Sequence, residues 1–223
     1  MIMTAAGAPM ATPSATPSSD CPLCPRLAAF RGQNKAKFPA YHNAPVPSFG
    51  PVSARLLIVG LAPGLHGANQ TGRPFTGDWA GDLLYETLGA FGFAAGTYAE
   101  RADDGLTLVD TRITNAARCV PPENKPTPEE VRTCRRFLLG EIASLPGVQA
   151  VVALGQISPT SVVAAFGGTP SRVKFAHGAV HPLSPRVTLF DSYHCSRYNT
   201  NTGRLTPEMF QAVFRAVRAH LDA

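Results

Sequence analysis

Several features that would classify this chain quickly are missing from it. No window offers the eighteen or so uninterrupted apolar residues of a membrane-crossing helix, so no membrane partner is expected and the protein reads as soluble and intracellular. The opening stretch MIMTAAGAPMATPSATPSSD has neither an apolar h-region nor a basic n-region. Residues 1–20 therefore read as a disordered tail, not a signal peptide. There is no Walker lysine-serine and no Gly-x-Gly-x-x-Gly fingerprint, which weighs against an unrelated nucleotide-binding α/β enzyme. Lysine is scarce beside arginine, and no catalytic lysine suited to Schiff-base chemistry is evident.

Cysteine is sparse and odd in number. Five cysteines, at 21, 24, 119, 134 and 195, argue against a disulfide framework in an apparently cytosolic chain and for metal ligation. Cys21 and Cys24 form a Cys-x-x-Cys pair with no βαβ pattern around it, which weighs against a thioredoxin-type site. Cys119 and Cys134 flank the proline-rich hinge PPENKPTP. Four thiolates in two pairs suit either zinc or an iron–sulfur cluster, and spacing alone leaves the two open, together with plain buried cysteines.

What is present fits one filled domain over residues 21–223 of the 223-residue chain. The formal charge of +5 suits a polyanionic partner without proving one. Arg55–Gly60, Leu106–Thr111 continuing to Asn115, Val148–Gly155 and Val187–Ser192 read as strands. Helical patterns alternate with them: Ala80–Phe93; a helix capped by Thr127 with Pro128 and Glu130; one opening at Ser158 and Pro159; and one opening at Thr206 and Pro207. The alternation predicts an α/β fold, a three-layer α/β/α sandwich with a central four-stranded, mainly parallel sheet. In such sheets ligand sites gather at the carboxyl ends of the strands.

The first of those ends carries the segment GLAPGLHGANQTGRPFTGD, residues 60–78, with five glycines and two prolines. A glycine-rich turn between strand and helix lets backbone N–H groups approach an anion or a planar ring; a long surface loop is the other reading. Asp78 closes the segment, as helix cap or as catalytic base. Asn115 ends the second strand, able to read a base edge or to satisfy a turn. Asn124 lies in the stiff hinge, and His194 ends the fourth strand. Phe75, beside the glycine loop, is a stacking face or a core aromatic. Four loops thus bring Asp, Asn, Asn and His toward one sheet edge.

Three blocks, GLAPGLHGANQTGRPFTGD, ARCVPPENKPTPEE and SYHCSRYNTNTGRLT, resemble in order the signature regions of family 5 (type b) uracil-DNA glycosylases. The resemblance implies a monofunctional glycosylase that cleaves the N-glycosidic bond of uracil, and of related deaminated or modified bases such as hypoxanthine, in double- or single-stranded DNA to initiate base excision repair. It implies a nucleoid-associated cytoplasmic monomer, with Cys21, Cys24, Cys119 and Cys134 holding a [4Fe–4S] cluster. Asp78, His194 and Asn124 match its catalytic positions, and Gly60, Leu61, Ala62 and Phe75 its base pocket. Asn115 belongs to that pocket too but stands where the family commonly has a small apolar residue, as the asparagine with which related families read the uracil edge, and so implies a stronger preference for uracil. Ser196, Arg197 and Tyr198 match its DNA-binding loop, with Arg197 or Tyr198 as a wedge; Arg118 and Arg204 are further phosphate candidates. Gly64 and Leu65 stand where the family usually has two alanines, and Cys195 where it often has proline or valine. The competing class is a non-catalytic iron–sulfur protein that binds damaged or single-stranded DNA.

Overall fold

The computed structural model describes residues 14–223. After α1 (Pro25–Lys37) the chain enters β1 (Leu56–Gly60), the single turn α2 (Ala68–Thr71) and α3 (Trp79–Ala90). A two-stranded ribbon follows, β2 (Ala94–Ala95) with β3 (Thr107–Leu108), and then β4 (Thr111–Asn115), α4 (Pro128–Ala143), β5 (Ala150–Leu154) and α5 (Ile157–Ala165). β6 (Val180–Ser184), β7 (Val187–Ser192), α6 (Arg197–Asn201) and α7 (Pro207–Leu221) complete it.

The sheet runs β4-β1-β5-β7-β6. The first four strands are parallel, and β6 pairs antiparallel with β7. Two apolar layers cover it. On one face Leu56, Ile58 and Val152 meet Leu84 and Leu88 of α3 and Phe210, Phe214 and Val217 of α7. On the other, Leu57, Val59, Val151 and Leu189 meet Val131 and Leu138 of α4 and Val162 of α5. β1 and β5, covered on both faces, read as unbroken apolar runs for that reason.

The three-layer α/β/α sandwich is as expected, with five strands instead of four. The extra strand, VHPLS, has a proline and alternates exposed with half-buried positions, a pattern that a sheet tolerates only at its edge. The expected strand over Leu106–Thr111 is split, because Asp110 turns the chain at φ 52° between β3 and β4. Ser158 does not open α5; Gln156 occupies the cap position, and the Ser158 hydroxyl donates to the Leu154 carbonyl. The Thr127–Glu130 capping box forms in both directions, and Thr206 caps α7 by accepting from the Met209 amide. α1 went unanticipated: of PRLAAFRGQNKAK only Leu27, Arg31 and Asn34 are buried, so no apolar stripe announces it, and nothing at Cys24 caps it with a side-chain bond.

Residues 1–13 of the expected tail lie outside the described residues. Of residues 14–20, Pro17 is buried and the Ala15 carbonyl accepts from Arg118, while Ser14, Thr16, Ser18, Ser19 and Asp20 are exposed. Among the described residues no helix is long and apolar enough to cross a membrane.

Candidate functional site

A pocket at the carboxyl edge of the sheet is lined by Ala62, Pro63, Gly64, Phe75, Asp78, Asn115 and His194, with Ala68 and Ala80 beside them. Its floor depends on missing side chains. Gly60 sits opposite Asn115 in the β1–β4 register, and a Cβ there would lie 2.3 Å from Asn115 Oδ1 and 2.7 Å from the Phe75 ring. A Cβ on Gly67 would lie 2.3 Å from Asp78 Oδ2. Both glycines are required by close approach of pocket side chains.

Phe75 is held at φ 51°, a left-handed conformation that a bulky residue adopts only when its surroundings impose it. Those surroundings are unusually well defined. Arg73 forms a two-pronged ion pair with Asp104, both contacts at 2.7 Å, and its Nε donates to Thr76. Asp104 also accepts from the amides of Ala99 and Leu106, and the Arg73 guanidinium beside it holds its carboxyl well below the usual range. The Tyr85 hydroxyl donates to the Pro74 carbonyl at 2.6 Å, and the Tyr98 hydroxyl donates to the Phe75 carbonyl while accepting from Gly77. Sequence reading missed this clamp, because its members lie up to 31 positions apart with no local pattern. The Phe75 ring stacks against His194, with centroids 5.8 Å apart and planes 28° from parallel.

Asp78 occupies the cap position of α3 yet makes no side-chain cap bond. Its Oδ1 is buried without a partner. Burial lifts its carboxyl above the usual carboxylate value, and the nearby amides of Gly81 and Ala80 offset only part of that, neither meeting hydrogen-bond geometry. His194 Nδ1 is likewise buried without a partner. Burial pushes that imidazole down to about 4, so it is neutral at neutral pH. Two groups with unfilled hydrogen-bond capacity therefore face one small space.

The loop after β7 is fastened from below: Asn199 donates to the His194 carbonyl at 2.8 Å, and the buried Cys195 thiol donates to the Ala80 carbonyl at 3.3 Å. Ser196 caps α6 by accepting from the Asn199 amide. The Arg197 guanidinium lies 5.2 Å from the Trp79 ring centre, and Trp79 Nε1 donates to Thr200. Tyr198 is 71% exposed. Leu61 continues the backbone from Gly60, its carbonyl accepting from the Ala117 amide.

Asn124 is not brought to the pocket; it is exposed on the hinge, at φ 56°. Lys125, the lysine within the three blocks, is exposed and pairs with Glu123. Arg118 is no surface phosphate ligand. It is 2% exposed and ion-paired with Glu141 at 2.8 Å. Arg204 lies over the Tyr193 ring at 4.7 Å.

Cys21, Cys24, Cys119 and Cys134 line one cavity with Leu27, Arg118 and Phe137. The Arg31 guanidinium donates to Cys119 Sγ at 3.5 Å and the Arg118 amide to Cys134 Sγ at 3.3 Å. Burial pushes the Cys119 and Cys134 thiols up, to about 11 and about 12. Among the described residues no three His, Cys, Asp or Glu side chains converge closely enough to hold a single metal ion.

A mainly parallel α/β sheet whose carboxyl edge carries an unpaired carboxylate, a neutral imidazole, an amide and a pinned aromatic is the setting in which α/β enzymes take small ligands. Residues 47–218 match the uracil DNA glycosylase superfamily. A type-5 uracil-DNA glycosylase of Thermus thermophilus is 48% identical over 198 residues, covering 86% of this chain and 90% of that protein. One from Pyrobaculum aerophilum is 40% identical over 208 residues, covering 92% and 89%. A type-4 uracil-DNA glycosylase of the latter organism is 34% identical over 165 residues, covering 72% and 76%. The chain belongs to the uracil-DNA glycosylase superfamily and, within it, to the type-5 enzymes.

Proposed function

We propose that the protein is a monofunctional uracil-DNA glycosylase that starts base excision repair by hydrolysing the N-glycosidic bond of uracil in DNA. The observation that carries this reading is the Asp78 carboxylate, whose Oδ1 is buried and unpartnered, across the pocket loops from His194. A purely structural carboxylate in that position would take up its cap bond.

The glycosidic bond is out of reach inside a base stack, so the nucleotide must be extruded into the pocket. There the base lies against Phe75, with the Asn115 amide at its edge. As the C1′–N1 bond breaks, its electron pair leaves with the base and positive charge develops on the sugar. Asp78 stabilises that charge and takes a proton from the water that adds to C1′. The neutral His194 ring donates a hydrogen bond to the departing base, whose negative charge spreads onto its oxygen. The backbone around Leu61 and Ala62 adds to that cradle. Ser196, Arg197 and Tyr198 engage the DNA beside the vacated stack.

Cys21, Cys24, Cys119 and Cys134 would hold a [4Fe–4S] cluster. The four sulfurs line one cavity, and N–H donors already face two of them, as thiolates that carry a cluster's charge require. Bound there, the cluster supplies a cross-link among the segment before α1, the loop after β4 and α4.

The test is incubation with duplex DNA carrying one uracil, followed by alkali. Strand cleavage at the uracil is expected, from protein whose visible absorption reports a cluster. Intact strands with protein of full cluster content would overturn the reading.

A further inference from the structure

Between Asp20 and Asp78 the chain has no acidic residue, although it carries Arg26, Arg31, Lys35, Lys37, Arg55 and Arg73. Four of these cations are committed within the protein: Arg26 to Glu130, Arg31 to Cys119 and the Cys21 carbonyl, Arg55 to Asp110, and Arg73 to Asp104. Lys35 and Lys37, in the last turn of α1, are exposed and form no ion pair among the described residues.

Directly after them stands a half-buried aromatic pair with an exposed histidine beside it. Phe38 and Tyr41 stack with centroids 4.8 Å apart and planes within 12°, and the exposed His66 ring sits edge-on to both, at 5.5 Å and 5.9 Å. Lys37 Nζ lies 5.2 Å from the Phe38 ring centre. The arrangement is fixed by a buried asparagine hub. Asn43 Nδ2 donates to the Phe38 and Tyr41 carbonyls, its Oδ1 accepts from Asn69 Nδ2, and its amide donates to the Asn69 carbonyl. The loop after α1 is thereby tied to α2, which belongs to the pocket floor. His66 lies between Gly64 and Gly67, the two glycines that crowd against Asp78 Oδ2. Tyr41 Oη is 3.0 Å from His66 Nδ1; with the hydroxyl donating, the ring proton resides on Nε2.

The geometry points to a second DNA contact at this place: a platform of Phe38, Tyr41 and His66, flanked by Lys35 and Lys37, that holds the strand next to the extruded nucleotide. The two ammonium groups and His66 Nε2–H meet backbone phosphates, and the aromatic faces accept a neighbouring base or sugar without reading sequence. This inference rests on the glycosylase reading for the position of the strand, and its binding test is independent of turnover.

The experiment measures affinity for uracil-free duplex DNA as a function of salt, for the wild type, the double variant Lys35→Ala/Lys37→Ala and the variant Tyr41→Ala, with thermal midpoints as the folding control. Removing two phosphate contacts is expected to make the slope of log K against log salt shallower by about 2 and to weaken binding about tenfold near 0.1 M salt. Tyr41→Ala should weaken binding with the slope nearly kept; where it lowers the midpoint, Tyr41→Phe, which retains the ring, separates stacking from folding. With uracil-containing DNA the losses should fall on KM. Slopes and affinities equal to the wild type, or losses confined to kcat, would overturn the platform. A wild type that excises no uracil while the slopes still differ overturns the glycosylase reading and supports the platform.

Discussion

Two carboxylates, one buried and fully paired and one half-buried and unpaired, stand in opposite circumstances in this protein. Glu141, 1% exposed, accepts from the Arg112 and Arg118 guanidiniums and from the Ser48 hydroxyl. It ties α4 to β4, to the chain just before β1 and, through Arg118, to the rim of the cysteine cavity. Asp78 has no cation and no hydrogen bond for Oδ1. Burial without a partner is costly to a charged group, and a structure that keeps one does so where the charge is used. The same division runs along one strand end, where Asn115 faces the pocket and Arg118, three residues on, is locked into the interior.

Swapping each carboxylate for its amide tests the distinction most severely. Asp78→Asn should lower uracil excision about 10³-fold, the range for a general base with electrostatic function, and should raise the unfolding free energy by up to about 1 kcal/mol. Single-turnover assays and chemical denaturation read the two effects, and an Asp78→Asn variant that unfolds more easily would make the cap role primary. Because the folded-state pKa of Asp78 is raised, its ionised form is lost earlier on acidification than that of an ordinary Asp. The acid limb of the rate profile should therefore lie above 3.8. Glu141→Gln should do the opposite, costing about 3 kcal/mol of stability by stranding the buried Arg118 guanidinium and weakening the hold on the half-buried Arg112, while the folded fraction keeps its turnover number.

Much of this organisation was legible before any coordinates. The β1–glycine loop–α3 passage and the helix starts at Thr127 and Thr206 carry local signals, and the strand-end rule put Asp78, Asn115 and His194 together. What was not legible depends on distant partners. Arg118 reads as a basic surface residue until Glu141, from another layer, is seen against it. Asp104 has no local signature, since its meaning is the Arg73 fork 31 positions away. The edge strand β6 hides behind Pro182, and Asn124, adjacent to helix-cap chemistry in sequence, stays out on the hinge.

His194 offers a smaller effect with a definite sign. Its folded pKa is depressed from 6.5 to about 4, so in that window the unfolded chain binds the proton first and stability falls as pH falls. Relative to His194→Gln, which does not titrate, the wild type should lose about 2 kcal/mol between pH 7 and pH 4, a figure reduced because the ring edge reaches the pocket. Paired denaturation curves at the two pH values measure it. A constant difference would mean that the imidazole is solvated, and the contrast with Asp78 as a second desolvated pocket group would fail.

The smallest expected effect concerns the strain at Phe75. Tyr98 contributes two long hydrogen bonds at 3.3 Å, one to the Phe75 carbonyl and one from the Gly77 amide. Arg73 and Tyr85 hold the neighbouring residues by shorter ones, at 2.7 and 2.6 Å. Tyr98→Phe keeps the ring that packs on Tyr85 and removes only the hydroxyl, so about 1 kcal/mol of restraint is lost at an aromatic residue held in a left-handed conformation. If that restraint keeps the Phe75 ring parallel to an incoming base, KM for uracil-containing DNA should rise about fivefold, with kcat and the thermal midpoint nearly unchanged. Equal KM values would assign the whole restraint to the Arg73–Asp104 pair and Tyr85, leaving Tyr98 as packing.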